Sequence, residues 1–554
     1  MDESIHKIIK NNNVFVTEIN QLLHNEGILL DNRLEVIIDI LNNSLYKTEI
    51  VSEISAPLKD KISSIINSVT IDNDEIFQIL FMFYCNKNNK INLDQFYTPY
   101  TIGKFLCKLM IPGKKVIDPA CGTGDLIKSY DGDINLWDVS EDALEICNQN
   151  YRLNNKVCKI SCLNSIIEYE KENGTYDYFV LNPPFGTSTV ISDTKVLNEY
   201  TLGRGKKKEE LGILFIERGI NLLKNEGIGF IIVPNGYLGN STKNITALKE
   251  YIRNFRIISI LELPSGTFSR SGTGVSTSII IIQKIEAIGD YNIFIEKIEN
   301  IGYILNKKNT PYKYKTENGK YVIKDNKPVL DNDFDECNLK LSYFVKKEKI
   351  KGMCKDSKKY DYEILNRRDV MNNILDINRY LKKYKSVIDS SKINEYMKIK
   401  DYIVSKPDIK PEIILDNEYL YLDIKQITSP IYSKTNNMYG YDLPSRAKIS
   451  VRKNDIIVSK LKGKISFTII LDDVDNIICS NGFALLRPKD YDSAVIIFAN
   501  LFTSEFKIQH NALCTGSIME TISEIDIQNI YINPNIDNAK YEGVIDALGV
   551  INEL

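Results

Sequence analysis

Apolar residues recur along this chain with two different periods. In residues 1–90 they fall at helical spacing: Leu34, Ile37, Ile38 and Leu41 share one face, and Ile76, Ile79, Leu80 and Phe83 share another. The pattern predicts a helical packing domain without chemistry of its own. Over residues 91–290 short runs of strand length take over: KKVIDPA, INLWDV, KISCLNS, YDYFVLNPPF, GIGFIIVP, IISILELP and STSIIIIQK. Amphipathic helical patterns at Asp142–Arg152 and Leu211–Leu223 separate several of them. Such alternation predicts an α/β domain with a mostly parallel, doubly wound, Rossmann-like sheet. Ligands of such sheets bind beyond the carboxyl ends of the strands. Residues 291–390 are polar and rich in Lys and Tyr, and read as a connector with a hairpin at YVIKDNKPVL and a helix over Val370–Lys385. Residues 391–554 return to short β runs, YLYLDIKQI, DIIVSKL, SFTIIL and NIICSNGFALLRP, followed by the amphipathic AVIIFANLFTSEF. They predict a separate α+β domain.

Composition changes this picture little. A chain of 554 residues with 43% apolar content can fill several cores. A formal charge of −3, from 70 basic and 73 acidic residues, neither supports nor excludes a nucleic-acid partner, because only local basic strips must face phosphate. Ten cysteines without a CxxC pair, and only His6, His24 and His510 beside them, argue for no metal site. Cys158 and Cys162, in a strand-like run, read as buried thiols, which fits a reducing, cytoplasmic compartment. The segment MDESIHKIIKNNN lacks the apolar core of a signal peptide, and no apolar run approaches the ~20 residues of a membrane span. No membrane partner is expected.

The first candidate chemistry lies at Asp118-Pro119-Ala120-Cys121-Gly122-Thr123-Gly124-Asp125, between a strand and a helical segment. Gly122 and Gly124 remove Cβ atoms that would keep a ligand from the backbone amides. A lone turn of this kind is weak evidence. Sixteen residues beyond Gly122, Asp138 ends the next strand, where an acid accepts hydrogen bonds from ribose hydroxyls. Its alternative role is to cap the following helix. Trp137 and Val139 are placed to flank an adenine ring. The absence of a third glycine after Gly124 disfavours a nicotinamide cofactor.

The second candidate is Asn182-Pro183-Pro184-Phe185, which closes the run Tyr178–Leu181. An exocyclic amino nitrogen on a heteroaromatic ring is a poor nucleophile, because its lone pair is delocalised. Two acceptors aimed at its hydrogens draw that pair toward tetrahedral geometry. The Asn182 side-chain oxygen and the Pro183 carbonyl can supply them, and Phe185 can stack on the base. A base within a duplex must be flipped out to reach such a pocket.

With Gln95–Pro99, Asp118–Asp125, Asn182–Gly186, Leu214–Tyr237 and Leu263–Ser278 in this order, the chain resembles the modification subunit of type I restriction-modification systems and related adenine-N6 DNA methyltransferases. The resemblance covers roughly residues 70–290. It implies S-adenosyl-L-methionine as cofactor, with Phe96, Tyr97, Thr98 and Pro99 closing over its methionine end. Asp118, Ala120, Gly122, Thr123, Gly124 and Asp125 would line the cofactor turn, with Asp138 and Val139 beyond it. Asn164 stands where the family usually has Asp near the cofactor adenine. Asn182, Pro183, Pro184 and Phe185 would be catalytic. The same tetrapeptide can serve cytosine N4 or a protein glutamine amide, and a non-catalytic DNA-binding scaffold is the reading from another class. Duplex DNA is the implied partner, with a second methyltransferase copy, a specificity subunit or a separate restriction subunit as further ones.

Two basic segments bear on DNA. Gly203–Lys208, with Lys206, Lys207 and Lys208, reads equally as a solvated loop or as one that orders on phosphate. Residues 391–554 resemble one target-recognition half of a type I specificity subunit, through Tyr421–Ile424, Val451–Ile457, Cys479–Phe483, Leu486–Pro488 and Gly516–Ser523. There Lys460, Lys462 and Lys464 are the candidate phosphate contacts.

Overall fold

The helical period at the start of the chain is spent on four helices, α1 (Asp2–Asn25), α2 (Arg33–Tyr46), α3 (Ala56–Ser68) and α4 (Asn73–Tyr84). Ser55 caps α3 by accepting from the Leu58 amide. Ile37, Leu41, Ile76 and Leu80 are buried together with Phe15, Ile19 and Phe77, while Ile38 and Ile79 are partly buried and Phe83 is exposed. This computed structural model describes residues 2–29, 32–46, 54–71, 73–84, 98–184, 189–269, 273–305, 311–370, 374–405, 407, 409–427, 436–463, 465–470, 476–517 and 519–537. The chain divides into two units, Met1–Leu375 and Asp376–Leu554.

The apolar runs of the first unit become one nine-stranded sheet. Its strands are β1 (Lys115–Asp118), β2 (Asp133–Asp138), β3 (Cys158–Cys162), β4 (Tyr176–Leu181), β5 (Leu223–Pro234), β6 (Phe255–Glu262), β7 (Thr277–Glu286), β8 (Asn292–Lys297) and β9 (Glu363–Asn366), in the order β9-β8-β6-β7-β5-β4-β1-β2-β3. Strands β3, β2, β1, β4 and β5 are parallel neighbours, and β7 runs antiparallel between β5 and β6. Ile228, Phe230, Ile231, Ile232 and Val233 of β5 and Ile279–Ile282 of β7 are fully buried, so both faces of the sheet centre are covered. Each such side chain contributes roughly 1.5–3 kcal/mol of transfer free energy.

The segment expected to connect domains instead completes this sheet. Strand β8 pairs parallel to β6, and β9 pairs antiparallel to β8. YVIKDNKPVL does form a hairpin, Ile323–Lys324 against Lys327–Pro328. Asp325 and Asn326 both take positive φ, 48° and 61°, as a tight I′ turn requires. The helix expected over Val370–Lys385 is broken. A short helix ends at Val370, a 3-10 turn covers Ile377–Arg379, and a new helix spans Lys382–Ile393. Asp376 caps the middle turn by accepting from the Asn378 amide, a local bond that competes with continuous helix. Cys158 and Cys162 lie on β3 at the sheet edge, so Cys158 is half-buried and Cys162 exposed rather than interior.

In the second unit, strands β10 (Glu418–Leu422), β11 (Asn436–Tyr439), β12 (Ala447–Val451) and β15 (Ile477–Ser480) form a four-stranded sheet, and β13 (Ile456–Ser459), β14 (Phe467–Ile469) and β16 (Phe483–Leu486) a three-stranded one. The amphipathic stretch becomes two helices, Tyr491–Asn500 and Ser504–Leu513, which cover the second sheet through Ile497, Phe498 and Phe506.

Candidate active site

The cofactor turn sits where β1 ends. Gly122 and Gly124 have φ of 50° and 78°, a region that disfavours any residue with a Cβ. A Cβ on Gly124 would stand 2.6 Å from the Cys147 sulfur on helix α6 (Glu141–Leu153), whereas one on Gly122 would meet nothing within 4 Å. Gly124 therefore serves packing, and Gly122 opens a space against the backbone. Asp138, at the end of β2, accepts from the Gly122 amide at 2.8 Å and from the Ser140 amide at 3.0 Å. Ser140, not Asp138, caps α6, through the Ala143 amide. That removes the capping alternative for Asp138 and leaves its carboxylate gripping the turn, with remaining lone pairs for a ligand hydroxyl.

Asp118 is buried and accepts from the Ala120 amide at 3.1 Å. Burial pushes its carboxyl up to about 8; the Asp138 and Asp125 charges add to the rise, and the Ala120 amide opposes it. Asp125 and Thr123 face inward. Asp125 accepts from the Thr123 hydroxyl at 2.7 Å, from Lys128 at 3.2 Å and from Asn150 at 3.1 Å. Asn150 also donates to the Thr123 carbonyl. These two residues brace the turn from behind.

The flanks of the expected adenine site differ. Val139 is 63% exposed and open to a ring. Trp137 is not. It is buried against Tyr176 edge-on, with the Arg218 guanidinium over its face, because alternation along β2 turns it to the opposite side of the sheet from Leu136. Asn164 uses its side-chain oxygen locally, accepting from the Ile166 and Ile167 amides, so only its amide nitrogen is left to meet a base. Arg218, fully buried, fixes the loop after Asn164 by donating to the Ser165, Glu168 and Lys171 carbonyls and to Asn173.

Strand β4 lies beside β1, with Val116 opposite Tyr178 and Ile117 opposite Phe179, so Asn182 emerges next to the cofactor turn. Its side-chain Nδ2 donates to the Thr98 hydroxyl at 3.0 Å. The carbonyl oxygen is thereby set on the opposite edge of the amide. Thr98 is itself held: Gln78 of α4, also buried, donates to its carbonyl at 2.7 Å. Pro99 precedes helix α5 (Tyr100–Leu109). Phe96, Tyr97 and Phe185 lie outside the described residues, as does Lys464.

The basic candidates are largely engaged. Lys206 pairs with Glu209, a carboxylate 1% exposed. Lys460 pairs with Glu524 at 2.7 Å and Lys462 with Glu520 at 2.5 Å. Lys207 and Lys208 are exposed and form no ion pair among the described residues. Gln78 and Arg218 were not anticipated, since a polar residue on a helix carries no mark of what it will touch. No cluster of three or more His, Cys, Asp or Glu able to hold a metal occurs among the described residues, and no helix there is long and apolar enough to cross a membrane.

Sheet order and the glycine turn after β1 define a Rossmann-like α/β fold of the S-adenosylmethionine-dependent methyltransferase type, as the family match also shows. The family model for N-6 DNA methylase matches residues 74–352, half of the chain, and the chain belongs to that family. Among curated relatives, the methylase subunit of the Escherichia coli type I restriction enzyme EcoEI is 24% identical over 216 residues, 35% of this chain and 43% of that protein. An rRNA N(6)-adenosine-methyltransferase of Caenorhabditis elegans is 32% identical over 111 residues, 18% of this chain and 52% of that one. The chain thus spans about half the length of these relatives. Among solved structures, the type IIG restriction endonuclease BpuSI aligns with a TM-score of 0.50 at 12% identity, covering 97% of this chain and 72% of that one.

Proposed function

We propose that the chain transfers a methyl group from S-adenosyl-L-methionine to N6 of an adenine flipped out of duplex DNA, as part of a restriction-modification or related defence system. The observation that carries this is the Asn182–Thr98 hydrogen bond. Thr98 accepts from the amide nitrogen, so the Asn182 oxygen is the group presented to a substrate, and an acceptor is what a planar amino group needs. Together with the Pro183 carbonyl it takes the two amino hydrogens, and the nitrogen lone pair becomes available for attack. Phe185, at the end of the tetrapeptide, would stack on the base. The amino proton released on N-methylation leaves to solvent.

The cradle fits the cofactor, because the space beside Gly122 is open and the Asp138 carboxylate borders it. When bound, that cofactor supplies a methyl group activated on a sulfonium. Asp138 would hold its ribose, Val139 and the Asn164 amide its adenine, Asp118, Ala120 and Gly124 its surroundings, and residues 96–99 its methionine end. Thr123 and Asp125 would act from behind the turn. Catalysis of this kind comes from positioning and hydrogen bonding.

The domain division that suits this reading is a helical domain, a methyl-transfer domain and a C-terminal recognition domain. Lys207 and Lys208 are the better phosphate contacts; Lys206, Lys460 and Lys462 would first have to leave carboxylates. A second copy, a specificity subunit or a restriction subunit would be partners in the cytoplasm. To test the reading, wild type and Asn182→Ala are incubated with labelled S-adenosylmethionine and unmethylated genomic DNA, and the products are digested to nucleosides. The expected result is N6-methyldeoxyadenosine from wild type alone. Equal incorporation by both proteins, label on cytosine, or label only on added ribosomal RNA sinks it.

A further inference from the structure

The Asn182 end of the catalytic turn is held by Thr98; its other end meets a different set of residues. Gly212, in helix α7 (Leu211–Leu222), packs so closely here that a Cβ would stand 3.2 Å from the Pro184 carbonyl oxygen and 3.0 Å from the Tyr237 hydroxyl. Tyr237 is 6% exposed, and its hydroxyl donates to the Glu210 carboxylate at 2.8 Å. Glu210 immediately precedes α7. Its backbone amide donates to the carboxylate of Glu209, which also accepts from Asn244 at 3.0 Å and pairs with Lys206.

The loop that carries Lys206 is anchored at its other end as well. Glu217 of α7, 1% exposed, accepts from the Thr201 amide at 2.7 Å and the Leu202 amide at 2.8 Å. Thr189 and Leu211 close the base, with Val190 paired to Glu210 and Ile191 to Glu209. Two buried carboxylates are thus spent on holding a loop whose exposed cations are Arg204, Lys207 and Lys208. Burying carboxylates costs free energy unless they are well paired. A merely solvated loop needs no such anchors.

We infer that Tyr237, with Glu210 and Gly212, is a positioning unit that sets the Pro184 end of the catalytic turn and ties it to the loop Gly203–Lys208, whose Lys207 and Lys208 contact the phosphodiester backbone of duplex DNA beside the target adenine. The inference rests on the reading of the site as a DNA adenine methyltransferase. Tyr237 touches no reacting atom in this scheme. Its hydroxyl fixes Glu210, the residue from which α7 starts, and Gly212 lets that start lie against Pro184. Engagement of phosphate by the loop then bears directly on the catalytic turn.

The test measures kcat and KM for the full chain on unmethylated genomic DNA, using Tyr237→Phe, the pair Lys207→Ala/Lys208→Ala, and all three changes together. Tyr237→Phe is expected to lower kcat about tenfold, the loss of one hydrogen bond's worth of positioning, with KM for S-adenosylmethionine within about twofold. The lysine pair is expected to raise KM for DNA in both backgrounds and to lower kcat only where Tyr237 is intact. Glu210→Ala should reproduce Tyr237→Phe if the latter folds poorly, and Glu210→Gln, which keeps an acceptor, should restore kcat. A Tyr237→Phe protein with unchanged kcat, or a lysine effect on kcat that is equal in both backgrounds, overturns the inference while leaving the activity standing. A wild type that transfers no methyl to DNA removes the activity itself, and the inference with it.

Discussion

The strand ends of the first unit and the core of the second put buried polar groups to different uses. In the first, buried Asp118 and Thr98 and the partly buried Asp138 and Asn182 gather at the carboxyl ends of β1, β2 and β4, where a ligand would lie. In the second, such groups are consumed by one another. Arg487 donates to both oxygens of Asp455, at 2.8 and 2.7 Å, in a pair 8% and 1% exposed. The Arg452 amide donates to the same carboxylate. His510, fully buried, bonds the Ser459 carbonyl at 2.9 Å. Polarity at these strand ends borders open space, whereas elsewhere in the first unit, as at Arg218 and Glu217, and in the core of the second, it holds strands, helices and loops together. Any reading of DNA by the second unit therefore falls to its exposed side chains rather than to its buried motif residues.

The largest expected effect tests the first half of that contrast. Asn182→Ala should lower single-turnover methyl transfer by about a thousandfold while cofactor affinity by calorimetry is kept. Comparable loss of cofactor binding would mean that the residue belongs to the cradle. The second half is tested by Arg487→Ala, which strands a buried carboxylate and should cost the second unit roughly 3–5 kcal/mol in urea unfolding. Methyl-transfer capacity without a recognition requirement should survive it. A stable Arg487→Ala protein with lost DNA affinity would instead move this pair to the interface.

Thr98→Val keeps shape and removes the acceptor. About tenfold lower kcat, with S-adenosylmethionine affinity changed less than about threefold, is the expected split. The reverse split would assign Thr98 to the cofactor alone.

The smallest effects are on stability against pH, and they have opposite signs in the two units. Burial raises Asp118 to about 8 from its ordinary 3.8, so its contribution is full below the ordinary value and is lost as pH rises toward 8. Burial lowers His510 to about 4 from 6.5, so its contribution is full above 6.5 and is lost as pH falls toward 4. Thermal melts from pH 4 to 9 should show Asp118→Asn flattening the alkaline side of the first unit and His510→Gln the acid side of the second. A single variant that flattens both would break the contrast.

Much of this was legible in the sequence. Seven apolar runs became seven sheet strands, because each was long enough to cross the sheet and was bounded by turn residues. The turn at Gly122 and the segment at Asn182 could be placed at strand ends, because glycine and proline mark where an apolar run stops. What was hidden depended on direction or distance. Trp137 and Val139 stand only two residues apart, yet Trp137 lies within β2 and is buried, whereas Val139 lies just past the end of the strand and is exposed. Lys460 and Lys462 looked free until Glu524 and Glu520, some sixty residues on, came to meet them. Strands β8 and β9 hid because their apolar runs, Ile293–Ile295 and Ile364–Leu365, are shorter than those of the sheet centre.

Those two marginal strands bear on how the molecule can be cut. A fragment ending at residue 290 would strip β6 of its strand partner over the four residues Ser259–Glu262. Ile257, Ile258, Ile260 and Leu261, all buried in the whole chain, would line that margin. An open, apolar strand edge templates pairing with other chains. The minimal fragment of the first unit therefore runs through Asn366, and shorter ones should be recovered as aggregates.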